Sequence, residues 1–181
     1  DNYAHDNTGG LLIFDLPDLP ADSGHSTKAH NNRIINNNQP NFAPSGNIVG
    51  QVPQGTGVLI LSSDGNEIHD NEITGNQSLG IAVVSHLSLG MDPPNFDVYP
   101  ESNYIHDNVF ENNGYDPQRI ADVIMRGLQQ DFLDAMVWDG WLDAEKDNTD
   151  GSLNNCFMSN VDENGAPAGW IDFDYETTFQ N

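Results

Sequence analysis

The stretch Ile68-His69-Asp70-Asn71-Glu72-Ile73-Thr74-Gly75-Asn76 decides the fold of this chain. It returns without gaps as Ala29-His30-Asn31-Asn32-Arg33-Ile34-Ile35-Asn36-Asn37 and as Ile105-His106-Asp107-Asn108-Val109-Phe110-Glu111-Asn112-Asn113. A looser fourth copy is Leu153-Asn154-Asn155-Cys156-Phe157-Met158-Ser159-Asn160. His30 and His69 lie 39 residues apart, and His69 and His106 lie 37 apart. A period of that size marks a stacked repeat architecture.

Outside each copy stands a second signal, a glycine leading a short apolar run. Gly57-Val58-Leu59-Ile60-Leu61 and Gly80-Ile81-Ala82-Val83-Val84 are two examples, and Gly10-Leu11-Leu12-Ile13-Phe14 is an earlier one. Continuous apolar runs this short suit strands buried on both faces of a parallel sheet. Each unit therefore reads as strand, Asn-bearing bend, strand, bend, Gly, strand. The expected fold is all-β, a parallel β-helix (a solenoid) forming a single domain over residues 1–181.

Asparagine recurs for a chemical reason. Strands of successive coils sit roughly 4.8 Å apart, so an Asn at the same bend of each coil can bond its amide to the one above and below. Asn also tolerates the left-handed backbone of such bends. The spacing predicts one column of Asn32, Asn71, Asn108 and Asn155, and a second of Asn37, Asn76, Asn113 and Asn160. Ile34, Ile73, Phe110 and Phe157 alternate with them and point inward.

Between the copies run long loops, over 15–28, 39–56 and 86–102, which hold most of the prolines. Loops of that length usually bind or cover something. Between Pro117 and Met136 the spacing of Ile120, Val123, Ile124, Leu128 and Phe132 predicts one short helix packed on the stack, after which Val137-Trp138 resumes the strand position.

The chain carries 28 Asp and Glu against 5 Lys and Arg, a formal net charge of −23. Such a surface repels nucleic acid and anionic lipid, and it attracts cations. Hard ions such as Ca²⁺ take carboxylate and carbonyl oxygens, so acidic loops make Ca²⁺ a candidate cofactor. The plainer reading is that the acidity serves solubility. The lone Cys156 excludes an internal disulfide, and its apolar neighbours predict a buried, inert thiol. No run reaches membrane-span length, so no membrane insertion is expected. The chain opens at Asp1-Asn2-Tyr3 in mid-repeat, which reads as a fragment whose amino-terminal coils and any export signal precede it. The open ends are sheet edges, to be covered by those coils or by another chain.

The Ile-His-Asp-Asn-x-Ile and Gly-Ile-x-Val units resemble repeats of the pectate-lyase-like superfamily. Gly10 to Pro17, Pro40-Asn41-Phe42-Ala43-Pro44, Gly46-Asn47-Ile48-Val49 and Val52-Pro53-x-Gly55-Thr56-Gly57 resemble a narrower family of uncharacterised bacterial right-handed parallel β-helix proteins. The resemblance spans roughly residues 3 to 160. It implies a right-handed parallel β-helix and a secreted or periplasmic location in a bacterium. The superfamily leans towards polysaccharide lyases, epimerases, hydrolases and carbohydrate-binding proteins, though fold does not fix function.

A lyase acting on uronic acids needs a basic side chain to take the proton, often with Ca²⁺ on the carboxylate. The candidates are Lys28, Arg33, Arg119, Arg126 and Lys146, and only Arg33 lies in the repeat frame. Trp170-Ile171-Asp172 is similar to a pectate-lyase signature, but Phe173 follows where His is required. These features and the −23 charge count against a lyase. A glycosidase needs two carboxylates flanking the bond. Asp70 and Asp107, one coil apart, offer such a pair, but acid-rich repeats produce pairs without catalysis. Whether the chain is an enzyme stays open.

His30, His69 and His106 share one frame position, so their imidazoles should stack on the outer surface beside Asn31, Asp70 and Asp107. Histidine with carboxylate is ligand chemistry for Zn²⁺, Cu²⁺ or Ni²⁺, which makes His30, His69, His106, Asp70 and Asp107 the candidate metal ligands. The same column can equally be surface repeat. His5, His25 and His86 fall outside it. Phe42, Tyr99 and Tyr104 are the candidate sugar-stacking rings, with capping of the core as the alternative. Two functions follow: an exported protein that binds or modifies polysaccharide, or a non-catalytic structural, adhesive or partner-docking module.

Overall fold

A computed structural model describes residues 1–20, 23–44 and 46–172. In chain order the strands are β1 (Tyr3–His5), β2 (Gly9–Phe14), β3 (Lys28–His30), β4 (Arg33–Ile35), β5 (Thr56–Leu61), β6 (Glu67–His69) and β7 (Glu72–Thr74). They continue as β8 (Leu79–Val84), β9 (Tyr104–His106), β10 (Val109–Glu111), β11 (Met136–Trp138), β12 (Cys156–Met158), β13 (Val161–Asp162) and β14 (Trp170–Asp172). One helix, α1 (Ile120–Gly127), separates β10 from β11. The strands form three sheets, ordered β1-β4-β7-β10-β13, β14-β11-β8-β5-β2 and β12-β9-β6-β3. All pairings between these strands are parallel. The fold is all-β, as the repeat predicts, and each strand pairs with its counterpart one unit away.

Register puts like on like. Ile34 faces Ile73, which faces Phe110; Ile68 faces Ile105; Ile60 and Trp138 both face Val83. These residues from all three sheets join in one buried core. Burying each large apolar side chain contributes about 1.5–3 kcal/mol before chain entropy is charged against it. The second sheet is buried on its other face too. Leu59, Ala82, Val137 and Ile171 lie under Ala121 and Ile124 of α1, so its strands read as unbroken apolar runs. Val123 and Phe132, counted above in the helical pattern, are exposed instead. The glycine leading each run has a steric cause: a Cβ on Gly57 would strike the carbonyl of Gly80, and one on Gly80 the carbonyl of Ala135.

Asparagine ladders run through the bends. Each Nδ2 donates to the next Oδ1 from Asn2 through Asn32, Asn71 and Asn108 to Asn160, every step 2.9 Å. A second ladder links Asn7, Asn37, Asn76 and Asn113. A third, absent from the expectation above, links Asn66, Asn103 and Asn155. Asn155 and Asn160 therefore belong to other columns than those predicted for them. Phe157 pairs with Ile105, not Phe110. The error is a register shift of one bend: within a unit the asparagines recur every five residues (Asn66, Asn71, Asn76), and the loose fourth copy was aligned one step out. Cys156, expected to be buried, is exposed on β12, because the inward position of that strand is taken by Phe157.

Candidate functional site

The third sheet turns two columns outward, Lys28-Glu67-Tyr104-Cys156 and His30-His69-His106-Met158. The imidazoles of His30 and His69 stack with centroids 5.0 Å apart and 11° between planes; His69 and His106 repeat this at 5.0 Å and 3°. Tyr104 closes against His106 at 4.0 Å. Each ring is turned by the residue after it. Nδ1 of His69 and His106 lies 2.7 Å from Oδ2 of Asp70 and Asp107, and Nδ1 of His30 lies 2.8 Å from Asn31 Oδ1. These oxygens only accept, so Nδ1–H is the donor in all three. Asn31, Asp70 and Asp107 all have φ between 52° and 55°, the left-handed region that Asn and Asp enter more readily than other side chains. The bend geometry alone therefore accounts for the residue beside each histidine.

The five predicted metal ligands thus meet as a ladder. With planes within 11° of parallel, the Nε2 atoms point side by side and do not converge on a centre. Among the described residues no group of three or more His, Cys, Asp or Glu side chains is placed to hold a metal ion. Asp70 and Asp107 each face their own histidine.

The sugar-stacking candidates are not brought together. Tyr104 lies on β9, not in a loop, and joins the histidine face. Phe42 is 96% exposed on the 36–55 connection, beside an open cleft of about 570 Å³ that Asn7, Gln39 and Val49 also line. Tyr99 sits half-buried near Asp97, Glu101 and Asp143, and burial followed by those charges raises its phenol above the usual value.

All five basic side chains are engaged. Lys28 pairs with Glu67, Arg33 with Glu72, and Arg126 with Asp122. Arg119 donates to the Gly50 carbonyl. Lys146 Nζ lies 2.6 Å from Glu101 and 2.7 Å from Asp97. None stands free as a proton-abstracting base. Trp170-Ile171-Asp172 forms β14 at the edge of the second sheet, and Phe173 lies outside the described residues.

No family model, curated protein or solved structure matches this chain.

Polar groups missed by the repeat frame gather where the second sheet passes to the third. Asp139, wholly buried, accepts from Ser85 N–H and Ser88 Oγ–H at 2.6 Å each. Burial raises its carboxyl to about 6 against these bonds. Asp64 is likewise raised to about 6, chiefly by burial. His86 is fully buried, with Nδ1 2.7 Å from Ser62 Oγ. No helix is long and apolar enough to cross a membrane among the described residues.

Proposed function

We propose that the chain is an exported, right-handed parallel β-helix that binds a neutral or weakly charged polysaccharide along the outer face of the third sheet. The observation that carries this reading is the ladder of His30, His69 and His106, with rings repeating at 5.0 Å and Tyr104 stacked beside His106 at 4.0 Å. An extended sugar chain advances by a similar length per residue, so successive units would meet the same ring edge and the same neighbouring side-chain oxygen, from Asn31, Asp70 or Asp107. With Nδ1 tied to Asn31 or Asp70, the rings of His30 and His69 leave Nε2 for sugar hydroxyls, while His106 Nε2 lies 3.4 Å from Glu67 Oε1. Tyr104 adds an apolar ring and a hydroxyl. The charge of −23 disfavours a polyanionic chain. The resemblance to pectate-lyase-like repeats supports the solenoid, the export and the carbohydrate.

The alternative, a structural or partner-docking module, is favoured by the left-handed backbone at Asn31, Asp70 and Asp107, which explains those residues without a ligand. Affinity electrophoresis through neutral and acidic polysaccharides separates the two. Retardation by a neutral glycan that disappears in His69→Ala and Tyr104→Ala supports binding on this face. No retardation by any glycan leaves the structural module.

A further inference from the structure

The contact between the second sheet and α1 leaves a gap. Leu59, Ala82 and Val137 on the sheet and Ile124 on the helix bound a pocket of about 50 Å³. Only apolar surface faces this space. Ser88 belongs to the wall, but its hydroxyl is spent on Asp139. Solvent reaches the pocket past Gln51, which is exposed, and past Ile48, Leu89 and Ile120, which are half-buried. A bound water needs two to four polar partners, and none is offered here. The space is also smaller than the roughly 150 Å³ that admits benzene. It therefore suits the end of an aliphatic chain and not a ring.

A cation stands at the mouth. Arg119 immediately precedes Ile120, and its Nη1 donates to the carbonyl of Gly50, the residue before Gln51. Its guanidinium is thus held between two residues of the rim. Lys28, Arg33, Arg126 and Lys146 each pair with a carboxylate, whereas among the described residues none lies against Arg119. One of its N–H donors serves Gly50, and the rest of the planar fork is open. Arg119 also holds a φ of 55°, a left-handed backbone that a long side chain enters at a cost. No side chain caps the first turn of α1, so its N–H groups add partial positive charge to the same rim. Asp122 in that turn is already matched by Arg126.

We propose that this pocket binds a short, unbranched aliphatic carboxylate. The tail enters beneath α1 and leaves water for a wholly apolar wall. The carboxylate stays at the rim, where the open fork of Arg119 can donate two parallel N–H bonds to its two oxygens. The pocket selects the tail, and the unmatched guanidinium selects the head. The chain's net charge of −23 does not forbid a monoanion here. At 0.15 M salt the field of distant charges fades within roughly 8 Å, so the nearest cation dominates. The site lies on a different sheet from the histidine face and stands or falls without it.

The test is a methyl NMR titration of the whole chain with sodium hexanoate at about 0.15 M NaCl. Expected are saturable one-site binding and shifts of the Leu59, Ile124 and Val137 methyls. Acetate, which has the charge but no tail, should leave them unmoved. Hexan-1-ol, which has the tail but no charge, should bind at least about tenfold more weakly. In Arg119→Gln the affinity for hexanoate should fall by a similar factor while hexan-1-ol titrates as in the parent, and Arg119→Lys should recover part of the loss. Ala82→Leu, which fills the pocket, should abolish binding of both. Should that variant fail to fold, Arg119→Gln carries the test, because its side chain is exposed and folding is not at stake. Methyls unmoved by a large excess of hexanoate, equal shifts with acetate, or an unaltered hexanoate affinity in Arg119→Gln overturns the proposal.

Discussion

Asn71 donates from Nδ2 to Asn108 Oδ1 at 2.9 Å while its own Oδ1 takes the N–H and the side-chain amide of Asn32. The same Nδ2 reaches the Ala29 carbonyl. One buried side chain thus satisfies backbone and side-chain groups in two neighbouring units. Asn71→Ala strands several of them, and each unsatisfied buried group costs about 1–3 kcal/mol. We expect a loss of about 3 kcal/mol or more in urea unfolding. Asn71→Asp keeps the acceptor and loses the donors, so it should also destabilise.

Lys146 makes the second prediction. Its ammonium sits between Asp97 and the Glu101 carboxylate, whose side chain is 3% exposed. Burial lowers the lysine's basicity, but the bonds to Asp97 and Glu101 more than offset this and hold it above its usual range. Removing one partner of a buried pair leaves a charge uncompensated, typically at about 3–5 kcal/mol. Lys146→Met should lower the melting temperature well beyond Arg126→Met, which breaks only an exposed pair.

Stability should rise as the solution is made mildly acidic. Asp139 has its carboxyl raised from an ordinary 3.8 to about 6, chiefly by burial. The folded state therefore holds its proton more tightly than the unfolded chain. Its contribution is most favourable below the unfolded value and is lost as pH rises through about 6. At one pH unit per 1.36 kcal/mol the full swing is on the order of 3 kcal/mol, roughly half of it between pH 7.5 and 5. Asp64, raised in the same direction, adds to it. His86, held below its usual value by burial, opposes it once pH falls below the unfolded value. Chemical unfolding at pH 5, 6 and 7.5 measures the slope, and Asp139→Asn should flatten it. A parent chain less stable at pH 5.5 than at 7.5, with Asp139→Asn unchanged in slope, contradicts this account.

Cys156 should label stoichiometrically with a maleimide in the native state, since it faces outward on an edge strand. Protection until the chain unfolds would mean that this face is covered.

The fold was legible because its period is written twice in each unit, once in asparagine and once in glycine followed by apolar residues. Ile34, Ile73 and Phe110 could be placed inward from that frame alone, and all three are buried. The same regularity misled at the fourth copy, where asparagines five residues apart made two alignments nearly equivalent. The histidine column was visible for the same reason as the fold. The buried polar corner of Ser62, His86, Ser88 and Asp139 was not, because those residues lie outside the repeat and far apart in sequence.

The direction of the asparagine ladders has a further meaning. Along the Asn2-to-Asn160 column every amide donates toward the later unit. A unit carrying its asparagines at the same bends would find an acceptor ahead and a donor behind wherever it was inserted. A duplicated unit therefore enters without upsetting its neighbours, whereas a unit facing the other way sets amide against amide. Such a molecule can lengthen or shorten by whole turns of sequence, while loop corners, such as the one around Ser62, diversify independently.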